Sequence, residues 1–283
     1  MQHLSKRHAA WLLAIALCGS ACGDSGSATN EDSSSSGDST STGGDATPIV
    51  LVHGAWMGAW AWDEVAPLLE ARGHATHVVE LPAHGDDPTA ATEASLAGYR
   101  DTVVAVLDGL DEPAAVVGHS MGGMVISEVA QARPQAISEL VYVAALLPQS
   151  GQSLLDLAMT DPDAITAMHL VDNGDGTASI DPAAIGAVFC GDCDDAHVQT
   201  IVERTKPEPF MPLVTPAMLD DAAFGSVRST YVYTEMDVAV SFAAQQAMVA
   251  ATPVDDTRSL ATAHSPFFSQ PQALSDAIVE LVE

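Results

Sequence analysis

The residues best suited to chemistry lie in Gly118-His119-Ser120-Met121-Gly122-Gly123, which fits the pattern G-x-S-x-G. Ala114 to Gly118 reads as a short buried strand, and Met121 to Arg133 as a helix that stops before Pro134. A serine between such a strand and such a helix sits on a sharp, strained turn that lifts its hydroxyl clear of the sheet. Side chains two positions to either side would collide, so glycine is required at both. The following helix aims its N-terminal N–H groups at the same point. These features suit Ser120 to nucleophilic attack on an electrophilic carbon.

Serine is a weak nucleophile without a base. Histidines at 53, 74, 77, 84, 119, 169, 197 and 264 are available beyond the N-terminal stretch. A nucleophile on such a turn takes its base from the loop after the last strand. His264 follows the strand-like Thr257–Ala261 and precedes a C-terminal helix, so it is the expected base. His53 and His119 flank turns near the site and are expected to be structural or to shape a substrate pocket. The imidazole needs an acid to fix its tautomer, and that acid falls between Ser120 and His264. Asp237, just past the strand-like Thr230–Thr234, is favoured, with Glu235 as competitor. The alternative for Asp237 is that it serves only as N-cap of the helix after it. Two main-chain N–H groups should hold an oxyanion: Met121, directly after the nucleophile, and Ala55, in the turn after the first strand.

The elements that must position these residues alternate. Pro48–His53 is a strand, Glu64–Arg72 a helix ended by Gly73, Ala75–Leu81 a strand, and Ser95–Leu110 a helix. The nucleophile's strand and helix follow, then a strand at Leu140–Leu146. After a break come the strand Thr230–Thr234, the helix Val238–Ala251, the strand Thr257–Ala261 and the helix Gln272–Glu283. Such alternation implies an α/β fold: a mainly parallel sheet with helices on both faces. Residues 149–227, rich in Pro, Asp and Gly, read as an inserted cap. Its Met159, Met168, Phe189, Phe210, Met211 and Met218, with Trp56, suggest an apolar, adaptable substrate pocket; a simple cap core is the alternative.

The chain of 283 residues divides into a leader, a tether and one domain. Residues 1–22 show a basic start, an apolar run of about ten residues and small residues before Cys22, which fits a signal peptide with a lipobox. Residues 23–47 are almost wholly small and polar and suit a disordered tether. Together they imply export, as a lipoprotein held to a membrane through Cys22 or as a secreted or periplasmic protein. Residues 48–283 form the expected single domain. It carries 33 acidic against seven basic residues, a formal charge near −26. Such a balance argues against nucleic-acid partners. Cys190 and Cys193 read as a small structural disulfide in an exported protein, with free thiols as the alternative. No second Cys pair completes a zinc site and no phosphate-binding loop is present, so neither metal nor cofactor is expected.

Val52-His53-Gly54-Ala55-Trp56, with Gly58-Ala59-Trp60 and Trp62, resembles the H-G-A-W-x-G-A-W-x-W opening of the plant methylesterase and hydroxynitrile lyase branch of the α/β-hydrolases. Leu81-Pro82-Ala83-His84-Gly85 is similar to that branch's L-P-G-H-G loop. Gly118–Ser127, Val141–Pro148, Tyr233–Asp237 and His264-Ser265-Pro266-Phe267 extend the likeness over about 48–283, most weakly in the cap. The resemblance implies a six-stranded core and a triad of Ser120, Asp237 and His264. Lyases of the branch place Thr at position 54 and Lys after the catalytic histidine, whereas this chain has Gly54 and Ser265. The expectation is therefore a serine carboxylic-ester hydrolase, working through an acyl-enzyme on a small, largely apolar ester. A cyanohydrin-type C–C lyase and a ligand-binding hydrolase-fold protein with little turnover are the alternatives.

Overall fold

The structure, a computed structural model, describes residues 46–283. The leader 1–22 with Cys22, and the tether apart from Ala46 and Thr47, lie outside the described residues.

The first strand, β1 (Ala46–Val52), ends in Ile49–Val52, a run with no exposed surface. It starts two residues before the expected Pro48. Ala46 pairs with His74 of β2 (His74–Val79), and the His74 ring lies 2.9 Å from the Thr47 carbonyl oxygen, so the end of the expected tether is drawn into the sheet. Between them lies the short helix α1 (Ala66–Glu70), followed by Gly73 at φ +97°. A left-handed residue is easiest for glycine, and it turns the chain back into β2.

The chain continues through α2 (Leu96–Leu107), β3 (Ala114–His119) and α3 (Gly122–Ala132) to β4 (Ile137–Val143). The fourth strand begins and ends three residues before the expected Leu140–Leu146. Ala144 takes φ +48°, which turns the chain out of the sheet. Beyond the cap come β8 (Ser229–Thr234), α8 (Phe242–Ala251), β9 (Asp256–Leu260), α9 (Pro266–Ser269) and α10 (Pro271–Val282). The expected α8 began at Val238. Residues 238–240 instead form a turn whose N–H groups bond Asp237, and Ser241 caps the helix.

The six strands form one parallel sheet in the order β2-β1-β3-β4-β8-β9. The central strands are apolar runs buried on both faces, as a helix-covered sheet requires. Because β1 lies between β2 and β3, the connections diverge there and a crevice opens at the C-terminal ends of β1 and β3.

Within 149–227 the chain forms α4 (Leu154–Ala158), β5 (Leu170–Asp172), β6 (Thr177–Ile180), α5 (Ile185–Phe189), α6 (Asp195–Arg204), β7 (Glu208–Pro209) and α7 (Phe210–Val214). The strands pair antiparallel in the order β5-β6-β7. A disulfide joins Cys190 to Cys193 between α5 and α6. No described helix is long and apolar enough to cross a membrane.

Candidate active site

Ser120 follows β3 directly and takes φ +53°, a left-handed conformation that non-glycine residues rarely hold. The turn is held by Ser120 N–H donating to Val143 O at 3.2 Å, and by Gly123 and Leu146 N–H donating to Ser120 O at 3.0 Å. The motif glycines are contact points. A Cβ on Gly118 would stand 2.7 Å from Gly122 O, and one on Gly122 would stand 2.9 Å from the carbonyls of Val52 and His53. Helix α3 can thus start close against the end of β1 only because both positions lack side chains.

His264 lies on the loop after β9 and is buried. Its Nδ1 is 2.7 Å from Asp237 Oδ2, with both side chains shielded from water. Asp237 follows β8. Its Oδ1 accepts the N–H groups of Ala239 and Val240, and its Oδ2 also accepts from Thr234 Oγ1 and Gln245 Nε2. The carboxylate therefore caps a turn and orients His264 at once, with its lone pairs committed to fixed donors. Glu235, two residues earlier, is exposed. Gln245 was not singled out from the sequence, since a glutamine within an Ala-rich helix carries no signal of its own. It is fully buried and ties Thr234, Asp237 and Val240 together.

His119 and His53 brace the site from beneath. Burial, reinforced by the nearby His264, pushes the His119 pKa well below the ordinary histidine value, so the ring is neutral. His119 Nε2–H donates to the His264 main-chain oxygen at 2.9 Å, and the two rings lie 4.6 Å apart. Burial also lowers the His53 pKa. His53 Nε2 accepts Leu81 N–H at 3.1 Å, which leaves Nδ1–H to donate to Gly54 O at 2.9 Å. That carbonyl shares a peptide plane with Ala55 N–H, so His53 fixes the direction in which Ala55 donates. Among the described residues, Ala55 N–H and Met121 N–H donate to no protein group. Gly54 packs directly on Ser120: a Cβ there would lie 2.8 Å from both His119 Nδ1 and Ser120 Cβ.

Of the expected pocket residues, Trp56 and Phe189 do line a cavity, one of about 150 Å³ that also includes Ile180, Ile185, Val202 and Lys206. Phe189 reaches back to within 6.0 Å of the His264 ring. His53 and His119 take the structural one of the two roles expected for them: both are buried, His53 with both ring nitrogens and His119 with Nε2 on main-chain groups. Phe210 packs against the core away from this cavity. Met159 and Met211 are 74% and 57% exposed, and Met168 and Met218 also face outward. The short cap helices bury Leu157 and Leu213 instead, which turns their methionines to the surface.

One further buried group was not expected from the sequence. Glu208 of β7 is fully buried and its Oε2 meets His84 Nε2 at 2.7 Å and Trp56 N–H at 2.8 Å. Its surroundings, Pro207-Glu208-Pro209 in a polar cap, give no sequence sign of burial.

A family model described as "Alpha/beta hydrolase family" matches residues 49–277. A putative chloroplastic methylesterase 15 from Arabidopsis thaliana is 30% identical over 247 residues, covering 82% of this chain and 56% of that protein. The chain thus spans little more than half the length of that relative. A pyrethroid hydrolase from Sphingobium wenxiniae is 27% identical, covering 84% of this chain and 88% of the relative. The crystal structure of polyneuridine aldehyde esterase superposes with a TM-score of 0.76 at 22% identity, over 84% of this chain and all of the other, a likeness of fold.

Proposed function

The chain belongs to the alpha/beta hydrolase family, and on that premise we propose that it is a serine carboxylic-ester hydrolase working through an acyl-enzyme on Ser120. The observation that carries this reading is the buried 2.7 Å His264–Asp237 pair, braced through His119 against the strained Ser120 turn. With Nδ1 committed to Asp237, Nε2 of His264 is the nitrogen left to exchange protons with Ser120.

In the proposed reaction His264 Nε2 takes the Ser120 proton as Oγ attacks the ester carbonyl. The N–H groups of Ala55 and Met121 stabilise the oxyanion of the tetrahedral intermediate. Collapse breaks the bond to the alkoxy oxygen, and His264 returns the proton to the departing alcohol. Water, deprotonated by the same nitrogen, then attacks the acyl-enzyme; the acid leaves and Ser120 regains its proton. Asp237 stabilises the imidazolium throughout. No step calls on a cofactor.

Relatives named methylesterase and pyrethroid hydrolase support an ester substrate. The cavity lined by Trp56, Ile180, Ile185, Phe189 and Val202 supports an apolar group on it. The Cys190–Cys193 disulfide suits an oxidising compartment and supports the export expected from the leader. The test is a panel of p-nitrophenyl esters assayed beside labelling by a fluorophosphonate. Ester turnover with a label at Ser120 is expected, and a folded protein that does neither would reject the reading.

A further inference from the structure

We propose that Glu208 is a positioning residue of the oxyanion hole: a buried carboxylate, delivered by the cap, that fixes the strained turn carrying Ala55 N–H and is held in place by His84. The inference rests on the ester-hydrolase reading of the same site.

Trp56 takes φ +62°, an uncommon state for a bulky residue that persists only where its surroundings over-determine it. Those surroundings come from the cap. Trp56 N–H donates to Glu208 Oε2 at 2.8 Å, its indole Nε1–H donates to Ala178 O at 2.9 Å, and its carbonyl accepts Lys206 N–H at 3.0 Å. Trp56 N–H belongs to the peptide plane that follows Ala55, and His53 pins the plane that precedes it through Gly54 O. Both peptide planes flanking Ala55 are therefore anchored, one from the sheet and one from the cap. Without the Glu208 anchor the second plane can rotate, the turn at Trp56 can relax, and His53 alone then resists the shift of Ala55 N–H from its aim.

A neutral acceptor could hold an N–H group, and burying a carboxylate is costly unless it is paired. His84 supplies the pairing. Its Nδ1 lies 3.0 Å from Pro82 O and its Nε2 lies 2.7 Å from Glu208 Oε2. Both ring nitrogens face acceptors, which only the doubly protonated imidazolium satisfies. Burial opposes that charge, but the Glu208 carboxylate, the Pro82 carbonyl and Glu80 together outweigh it and the His84 pKa is raised. The other titratable groups facing His84 are Glu80, Asp87, His53 at 4.9 Å and Tyr99 at 5.5 Å between ring centroids. As pH rises, deprotonated His84 can no longer donate from both nitrogens, and Glu208 is left a buried anion with weaker support. The lock therefore loosens on the alkaline side.

The test compares wild type, E208A and E208Q with p-nitrophenyl butyrate, with circular dichroism to establish folding. E208A should lower kcat by about 10- to 100-fold with KM nearly unchanged, because an oxyanion donor acts on the transition state. The E208Q amide oxygen still accepts from Trp56 N–H, so it should recover most of kcat near neutral pH. Its alkaline limb should move to lower pH, because His84 has lost its anion. Folded E208A with wild-type kcat, or E208Q with an unmoved alkaline limb, overturns the proposal; if E208A does not fold, E208Q decides. Failure of the ester-hydrolase reading shows separately, as a wild type that neither turns over esters nor labels at Ser120. Amide exchange at Trp56 then decides: protection lost in E208A and kept in E208Q supports the lock, and protection kept in both overturns it.

Discussion

His119 Nε2–H donates to the main-chain oxygen of His264 at 2.9 Å, so the residue before the proposed nucleophile, Ser120, holds the residue proposed as its base. In the sheet, β3 and β9 are separated by β4 and β8. One buried imidazole thus fixes the relation between two distant strand ends. It does so as a neutral ring, and that makes the arrangement sensitive to acid.

The pH dependence has a definite sign. His119 is held well below its ordinary value of 6.5 in the fold, whereas the unfolded chain protonates it near 6.5. The unfolded state therefore binds more protons below that pH, and stability falls as pH drops through it. For this group alone the loss between pH 8 and pH 5 is bounded at about 2 kcal/mol, the full amount for a ring that stays neutral throughout. Urea unfolding of wild type and His119→Gln at both pH values isolates it. The variant should gain on wild type on acidification, by up to that amount; parallel curves would contradict the assignment. His84 acts in the opposite sense, its raised pKa giving stability at low pH that is lost as pH rises through the folded value.

Asp237 and Glu235 make opposite predictions. Asp237→Asn keeps the shape but removes the charge that fixes His264, and kcat should fall by about 10⁴. Glu235→Gln, at an exposed side chain, should leave kcat within about twofold. Steady-state kinetics on the two purified variants would reveal a reversed assignment at once.

Gly54 tests how tightly the first loop is packed on Ser120. Gly54→Thr forces side-chain atoms against His119 and Ser120, where even a Cβ would stand at 2.8 Å. Overpacking of this kind costs about 1–3 kcal/mol. The melting temperature and kcat should both fall. A variant with wild-type values for both would show that the loop yields more than its contacts suggest.

Much of this site could be read from the chain because its signals are local. The runs Ile49–Val52 and Ala114–Val117 are apolar throughout, as strands covered on both faces must be, and the glycines at 118 and 122 mark a turn that little else can form. Strand ends were less legible. The departure of β4 is set by the left-handed Ala144, a residue whose type gives no hint of it. The cap was the least legible part, since its strands run two to four residues and cannot show a period. Glu208 escaped for a related reason. Its burial depends on His84 and Trp56, which are 124 and 152 residues away in the chain, and no local pattern encodes such a meeting.

A covalent acyl-enzyme on Ser120 would be caught by intact-protein and peptide mass spectrometry after rapid acid quench with a slowly hydrolysed p-nitrophenyl ester. The expected result is a mass increase equal to the acyl group, located on the peptide containing Ser120 and absent in Ser120→Ala, whose turnover should fall by about 10⁴–10⁶. Turnover that persists in Ser120→Ala, or an acyl group found on another residue, would contradict it.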